Sequence, residues 1–173
     1  MLNCFSYTGA FSVHALKGGA EMVTNVDSSM SALEFAEKNA LLNGFSSEQV
    51  DNVCGDVFQF LRQCRDSRKQ FDVIILDPPK FVDSKNVLEK AARGYKDINL
   101  LAFKLLKPNG MLFTFSCSGL MPVELFQKIV ADAAVDANRD AQFLFRLGQS
   151  CDHPIATSFP EGEYLKGFVC KVD

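Results

Sequence analysis

One segment reveals the architecture of this 173-residue chain: Phe71-Asp-Val-Ile-Ile-Leu-Asp-Pro-Pro-Lys-Phe81. Residues 73–76 form a continuous apolar run, which predicts a strand buried on both faces of a sheet. Asp77 follows directly, and Pro78 and Pro79 cannot continue a hydrogen-bonded ladder. We therefore expect this strand to end on an acid, at the edge where open parallel sheets bind their ligands.

Strand and helix patterns alternate along the rest of the chain. Apolar runs predict strands at residues 2–5, 21–26, 50–53, 71–76, 111–115, 143–147 and 165–172. Helical periodicity predicts helices at residues 9–16, 29–43, 57–65, 88–106 and 122–136, with a turn at residues 107–110. Repeated strand–helix units predict a Rossmann-like α/β fold: a mostly parallel seven-stranded sheet with helices on both faces.

The composition is typical of a globular domain without a membrane span or a secretory signal. Hydrophobic residues make up 47% of the chain and charged residues 23%, and no apolar run reaches 18 residues. The six cysteines form no CxxC pair, which predicts reduced thiols in a cytoplasmic protein and no metal site. Because the chain opens almost directly on a strand, we expect residues 1–173 to be one domain of a longer protein.

The connection after the first strand is a candidate cofactor loop. It reads Asn3-Cys-Phe-Ser-Tyr-Thr-Gly-Ala-Phe11 and holds one glycine where a dinucleotide fingerprint has three. This pattern disfavours NAD and FAD, and the chain has no P-loop motif. Ser6, Thr8 and Gly9 are predicted to offer a hydroxyl and backbone N–H groups to a small carboxylate near a helix start.

Acids at successive strand ends indicate the rest of the cofactor. Asp27 ends the second predicted strand, where a carboxylate accepts hydrogen bonds from ribose hydroxyls. Asp56 follows the third strand and is predicted to accept from an adenine amino group; each acid is alternatively a helix N-cap. Ser28 and Val57, the next residues, complete the predicted site with Asp77. The set suggests a nucleoside without a pyrophosphate, namely S-adenosylmethionine (SAM).

These motifs resemble the catalytic domain of class I SAM-dependent RNA methyltransferases. The similarity is greatest to bacterial 23S rRNA 5-methylcytosine methyltransferases of the RlmI type. It rests on Asn3-x-Phe-Ser-Tyr-Thr-Gly-x-Phe11, Asp27, Asn39-x-x-Leu-Asn-Gly44, Asp77-Pro-Pro-x-Phe81, Arg93-Gly-Tyr-Lys96, Ser116-Cys-Ser118, Asp152-His-Pro154 and Phe159-Pro-Glu-Gly-Glu-Tyr-Leu-Lys166. The resemblance implies RNA, in particular rRNA, as the substrate. It also implies an RNA-binding PUA domain that precedes the catalytic domain in the family.

The reaction implied by this resemblance needs a nucleophilic cysteine. Carbon 5 of cytosine becomes nucleophilic when a thiolate adds to carbon 6, and a base later removes the C5 proton. Cys117 is the candidate because it lies at the predicted carboxyl end of the fifth strand. Its neighbours Ser116 and Ser118 are expected to donate hydrogen bonds to the thiolate and so lower its pKa.

The Asp-Pro-Pro loop is predicted to hold the target base. Asp77 would hydrogen-bond the cytosine edge, and Pro78 and Pro79 would shape the wall of the site. Phe81 is expected either to stack on the base or to pack in the core.

Two other functions fit parts of the pattern. Related enzymes with the same Ser-Tyr-Thr-Gly and Asp-Pro-Pro motifs methylate a guanine nitrogen, and they typically carry asparagine at the position of Cys117. A SAM-binding or RNA-binding module without turnover is the second alternative, against which the presence of Asp77 and Cys117 argues.

Overall fold

A computed structural model describes residues 1–81 and 88–173 and has an α/β architecture. The strands are β1 (Leu2–Cys4), β2 (Val23–Asp27), β3 (Val50–Cys54), β4 (Phe71–Leu76), β5 (Leu106–Ser116), β6 (Ala141–Leu147) and β7 (Lys166–Val172). The helices are α1 (Ala10–Lys17), α2 (Met30–Leu42), α3 (Val57–Asp66), α4 (Leu88–Leu105) and α5 (Val123–Asp136), with short 3-10 turns at Ser47–Gln49 and Pro160–Gly162.

The seven strands form one mostly parallel sheet, as predicted. Their order is β3-β2-β1-β4-β5-β7-β6. Neighbouring strands are parallel from β3 through β5, and β7 runs antiparallel to both β5 and β6. The carboxyl ends of β1–β5 therefore meet at a single edge, which is where the acids and Cys117 were predicted to gather.

Helices cover both faces of the sheet because side chains alternate along each strand. Leu2 and Cys4 of β1 belong to the large apolar core that contains the buried residues of α3, α4 and α5. Asn3 points to the opposite face, where its amide donates to Ser12 of α1. Helices α1 and α2 pack against each other on that second face.

The element boundaries differ from the predictions at a few positions. The largest difference is β5, which begins at Leu106 instead of residue 111. Leu106 pairs with Phe71 before an irregularity in the β4–β5 register, so the predicted turn at residues 107–110 lies inside the strand. Asn109 has a φ of 61°, as expected for a turn residue.

Helix α1 begins after a glycine that allows a close approach between two helices. Gly9 has a φ of 77°, a conformation that non-glycine residues rarely adopt. A Cβ atom built on Gly9 would lie 2.8 Å from Cβ of Ala36 in α2. The glycine therefore belongs to the packing of α1 against α2.

Replacing Gly9 by alanine should lower the free energy of unfolding by about 2–4 kcal/mol, because left-handed strain and overpacking add together. Gly44→Ala is the matched control: Gly44 has a φ of 83° and nothing within 4 Å of the added Cβ. In Gly44→Ala the free energy of unfolding should fall only by the cost of the left-handed strain, about 1–2 kcal/mol. Urea unfolding measures both, and equal losses would contradict the role of the Ala36 contact.

Candidate active site

A cavity of about 450 Å³ opens at the carboxyl ends of β1–β4. Residues at the strand ends or within three positions after them line it: Phe5, Tyr7, Asp27, Ser28, Gly55, Asp56, Val57, Asp77 and Pro79. The predicted cofactor residues after β2, β3 and β4 are thus brought together around one space. No group of metal-ligating side chains forms among residues 1–81 and 88–173.

The Asp27 carboxylate is fixed in the cavity wall by two backbone donors. The N–H groups of Tyr7 and Ser29 donate to its two oxygens, each over 2.9 Å. Each carboxylate oxygen can accept more than one hydrogen bond, so the group remains able to bind a hydroxyl from the cavity side. Ser29 itself is the N-cap of α2, which leaves Asp27 outside the helix.

Asp56 is the N-cap of α3, one of the two roles expected from the sequence, and it also lines the cavity. Its carboxylate caps α3 by accepting from the Gln59 N–H over 2.9 Å. The same residue lines the cavity, followed by the buried Val57. The cap restricts the orientation of the Asp56 carboxylate.

The β1–α1 loop differs from its prediction. Ser6, Thr8 and Gly9 are not among the cavity-lining residues, whereas Phe5 and Tyr7 are. The Gly9 N–H donates to the Ser6 carbonyl over 2.9 Å, so it is not available to a ligand. Phe5 and Tyr7 both have positive φ angles, 57° and 47°. This uncommon backbone conformation changes which side chains of the loop point toward the cavity, and the sequence pattern does not predict it.

Asp77 lines the cavity and is half-buried. Burial raises the pKa of its carboxyl group above the usual value. Pro79 lines the cavity, and the preceding Pro78 is buried. The charged form of Asp77 is therefore less favoured than it would be in water.

The Cys117 thiol lies beside the Asp-Pro-Pro loop. Its Sγ donates to the Pro78 carbonyl over 3.8 Å, and the side chain is half-buried. Burial raises the pKa of the Cys117 thiol, opposed in part by a backbone hydrogen bond, and the nearby Asp77 raises it further. Lys166 and Lys80 lower that pKa, by smaller amounts than burial raises it.

The predicted role of the flanking serines is wrong. Ser116 donates to the Tyr95 hydroxyl over 2.9 Å, and the Ser118 hydroxyl lies 3.4 Å from the same oxygen. Both serines are fully buried, and the pKa of Cys117 is raised instead of lowered. The two serines anchor the backbone on either side of Cys117 to Tyr95 of α4.

Phe81 packs with other aromatic rings, one of the two outcomes expected from the sequence. Its ring centroid lies 4.7 Å from Tyr95, 6.1 Å from Phe58 and 6.3 Å from Phe5. Phe81 therefore supports the wall of the site from behind, because Phe5 is itself a cavity residue.

One residue of the site was missed by sequence analysis. Lys166, the first residue of β7, is only 7% exposed and donates to the Ser118 carbonyl. A lysine in front of the apolar run Gly-Phe-Val-Cys170 was a weak signal, since strand ends commonly carry exposed lysines.

The family model for S-adenosylmethionine-dependent methyltransferases matches residues 1–155. The chain belongs to this family. Ribosomal RNA large subunit methyltransferase I from Shewanella amazonensis is 60% identical to this methyltransferase over 172 residues, and the protein of that name from Klebsiella pneumoniae is 57% identical. Each match covers 99% of the chain and 43% of the relative, so the methyltransferase spans less than half the length of these relatives.

A solved structure has the same fold. It is a putative methyltransferase in complex with SAH (S-adenosylhomocysteine), 27% identical, with a TM-score of 0.83 over 99% of this methyltransferase and 44% of that chain. The cavity fits a cofactor of this kind, because carboxylates at its edge are matched to hydroxyl and amino donors. Phe5, Val57 and Pro79 add apolar surface suited to a nucleoside.

No helix in the two described ranges has the length and apolar character needed to span a membrane.

Proposed function

We propose that this methyltransferase transfers a methyl group from SAM to carbon 5 of a cytosine in RNA, with large-subunit rRNA as the substrate. The observation that carries the proposal is the Cys117 thiol, half-buried at the end of β5 beside the Asp-Pro-Pro loop. The names of the relatives that are 57–60% identical support an rRNA substrate. The 173 residues would supply the catalytic domain of this activity, which would take place in the cytoplasm.

SAM would lie in the cavity across the ends of β1–β4. Asp27 would accept hydrogen bonds from the ribose hydroxyls, since both its oxygens are already held in place by backbone donors. Asp56 would accept from the adenine amino group, beside the apolar surface of Phe5 and Val57. SAM supplies the methyl group as an electrophile.

Cys117 would act as the nucleophile. Its thiolate adds to C6 of cytosine, the electron pair of the C5–C6 double bond moves to C5, and C5 then takes the methyl group. Loss of the C5 proton restores the double bond and releases the thiolate. Cys117 and Asp77 lie at the ends of the adjacent parallel strands β5 and β4, which supports pairing a nucleophile with a group that would hold the base.

Asp77 would stabilise the attacked ring. Addition of the thiolate increases electron density on the base, and a protonated carboxyl group can donate a hydrogen bond to a ring nitrogen. The raised pKa of Asp77 favours that protonated form. Pro79 would form the adjacent wall of the base pocket, preceded by the buried Pro78.

The modified nucleoside tests the proposal. The protein is incubated with SAM and rRNA that lacks the modification, and the RNA is digested and analysed by mass spectrometry. We expect 5-methylcytidine. A methylated guanosine instead would favour the guanine-nitrogen alternative, and no modified nucleoside with SAM still bound would favour a module without turnover.

Replacing Asp27 by alanine should weaken SAM binding by about 1–3 kcal/mol, the range for hydrogen-bonding groups that lose a partner. The loss combines the ribose contacts with the two backbone donors that Asp27 holds. Isothermal titration calorimetry measures it. Glu37→Ala, an exposed acid on α2 outside the cavity, is the control and should bind SAM normally. Unchanged affinity in Asp27→Ala would contradict the ribose assignment.

A further inference from the structure

Lys166 is a buried cation next to the nucleophile. It begins β7, and in the antiparallel register it pairs with Ser116, the residue before Cys117. Its side chain is 7% exposed, although lysine rarely occurs in protein interiors without a partner. Within residues 1–81 and 88–173, no carboxylate forms an ion pair with Lys166. The reason for burying this charge must therefore lie in its other contacts.

The Lys166 ammonium joins β7 to the loop that carries Cys117. Its Nζ donates to the Ser118 carbonyl over 2.6 Å and to the Met121 carbonyl over 2.9 Å. The Met121 N–H also donates to the Ser118 carbonyl, over 3.0 Å, so these groups form a closed turn just after Cys117. Two carbonyl oxygens satisfy the ammonium only in part, since it carries three protons.

The electrostatic surroundings of Cys117 single out Lys166. Asp77 at the end of β4 raises the pKa of the thiol, whereas Lys166 on β7 and Lys80 on the Asp-Pro-Pro loop lower it. Lys80 is exposed, so solvent screens its charge, but Lys166 is buried. Burial lowers the pKa of Lys166, and Cys117 raises it, as expected for two groups that stabilise each other when both are charged.

We propose that Lys166 is a positioning residue for Cys117, which holds the loop after the nucleophile and stabilises its thiolate with a buried positive charge. Its effect on catalysis rests on the proposed function, because a thiolate is needed only if Cys117 attacks the base. The effect on the thiol itself does not depend on that function. In the free protein, the charge offsets part of the penalty that burial and Asp77 impose on the thiolate.

Alkylation of Cys117 by iodoacetamide as a function of pH tests the proposal. Mass spectrometry of the peptide that contains Cys117 gives the rate for this thiol alone. In Lys166→Gln, which keeps one donor but no charge, the midpoint of the profile should move to higher pH, with about tenfold slower alkylation at pH 8 for each unit of pKa. Lys166→Arg keeps the charge and should stay closer to the wild type. Lys171→Met, at an exposed position of the same strand, is the control and should have the alkylation profile of the wild type.

A second measurement leaves Lys166 unchanged, in case its variants do not fold. The coupling is reciprocal, so removing the thiol in Cys117→Ala should lower the pKa of Lys166, followed by the ¹³Cε resonance of the lysine. An unchanged Lys166 titration, or a folded Lys166→Gln with an unchanged alkylation profile, would overturn the proposal. Loss of methyl transfer in Lys166→Gln without loss of SAM binding would extend the role to catalysis. If Cys117→Ala still methylates RNA, the proposed function fails, while the alkylation result stands.

Discussion

The Cys117→Ala variant is expected to lose methyl transfer almost completely while it binds SAM with nearly normal affinity. Removing a covalent nucleophile eliminates the chemical step, and losses of about 10⁴-fold or more are usual for such residues. Cys117 does not line the cofactor cavity, so the binding constant should change little. Tritiated-methyl transfer to rRNA measures the first quantity and calorimetry the second.

Two matched cysteines serve as controls for this result. Cys54 and Cys151 are exposed, and their alanine variants should methylate RNA normally. A complementary experiment traps the adduct: RNA with 5-fluorocytosine at the target should form an SDS-stable complex with the wild type but not with Cys117→Ala, because fluorine blocks the release step. Near-normal turnover of Cys117→Ala would exclude carbon-5 chemistry through this thiol and leave nitrogen methylation as the better explanation.

The Asp77→Asn variant should be more stable than the wild type at neutral pH and yet lose about 10²–10⁴-fold in kcat. The loss of activity follows from the proposed hydrogen bond to the attacked base. The gain in stability follows from burial, which raises the pKa of Asp77 in the folded state. The ionised carboxylate therefore disfavours folding at neutral pH, and an amide removes that cost.

The pH dependence gives this prediction a definite sign. The stability difference between Asp77→Asn and the wild type should be present above the folded pKa of Asp77 and disappear below about pH 4, where the carboxyl is protonated in both states. Asp72→Asn, on the same strand, should behave in the opposite way. A hydrogen bond from Lys107 lowers the pKa of Asp72, so its ionised form favours folding above that pKa. Thermal unfolding without SAM measures both variants, and a destabilised Asp77→Asn at pH 7 would contradict the assignment.

The order of strands and helices could be predicted because the apolar runs are strong and well separated. The segment that ends in Asp77 is one example: residues 71–76 form β4 with the bounds expected. Asp27 and Asp56 could be placed in one cavity for the same reason, since each ends or follows a parallel strand. These predictions depend on local patterns and on the geometry of parallel sheets, both of which are visible in a single sequence.

The side-chain directions in the connecting loops could not be predicted in the same way. Phe5 and Tyr7 reach the cavity, and Ser6 does not, because two residues of the loop have positive φ angles. The hydroxyls of Ser116 and Ser118 turn inward because Tyr95, more than 20 residues earlier, provides a buried partner. Contacts of this kind depend on tertiary packing, which no local pattern records.

The position of β7 also affects when the active site can form during synthesis. Lys166 holds the Ser118 carbonyl across 48 residues of sequence, and β7 is the last strand of the chain although it lies between β5 and β6 in the sheet. A nascent chain that has released only β1–β5 already contains Cys117 but not the cation beneath its loop. The contact between Lys166 and the Ser118 carbonyl can therefore form only after β7 has been synthesised and has entered the sheet beside β5.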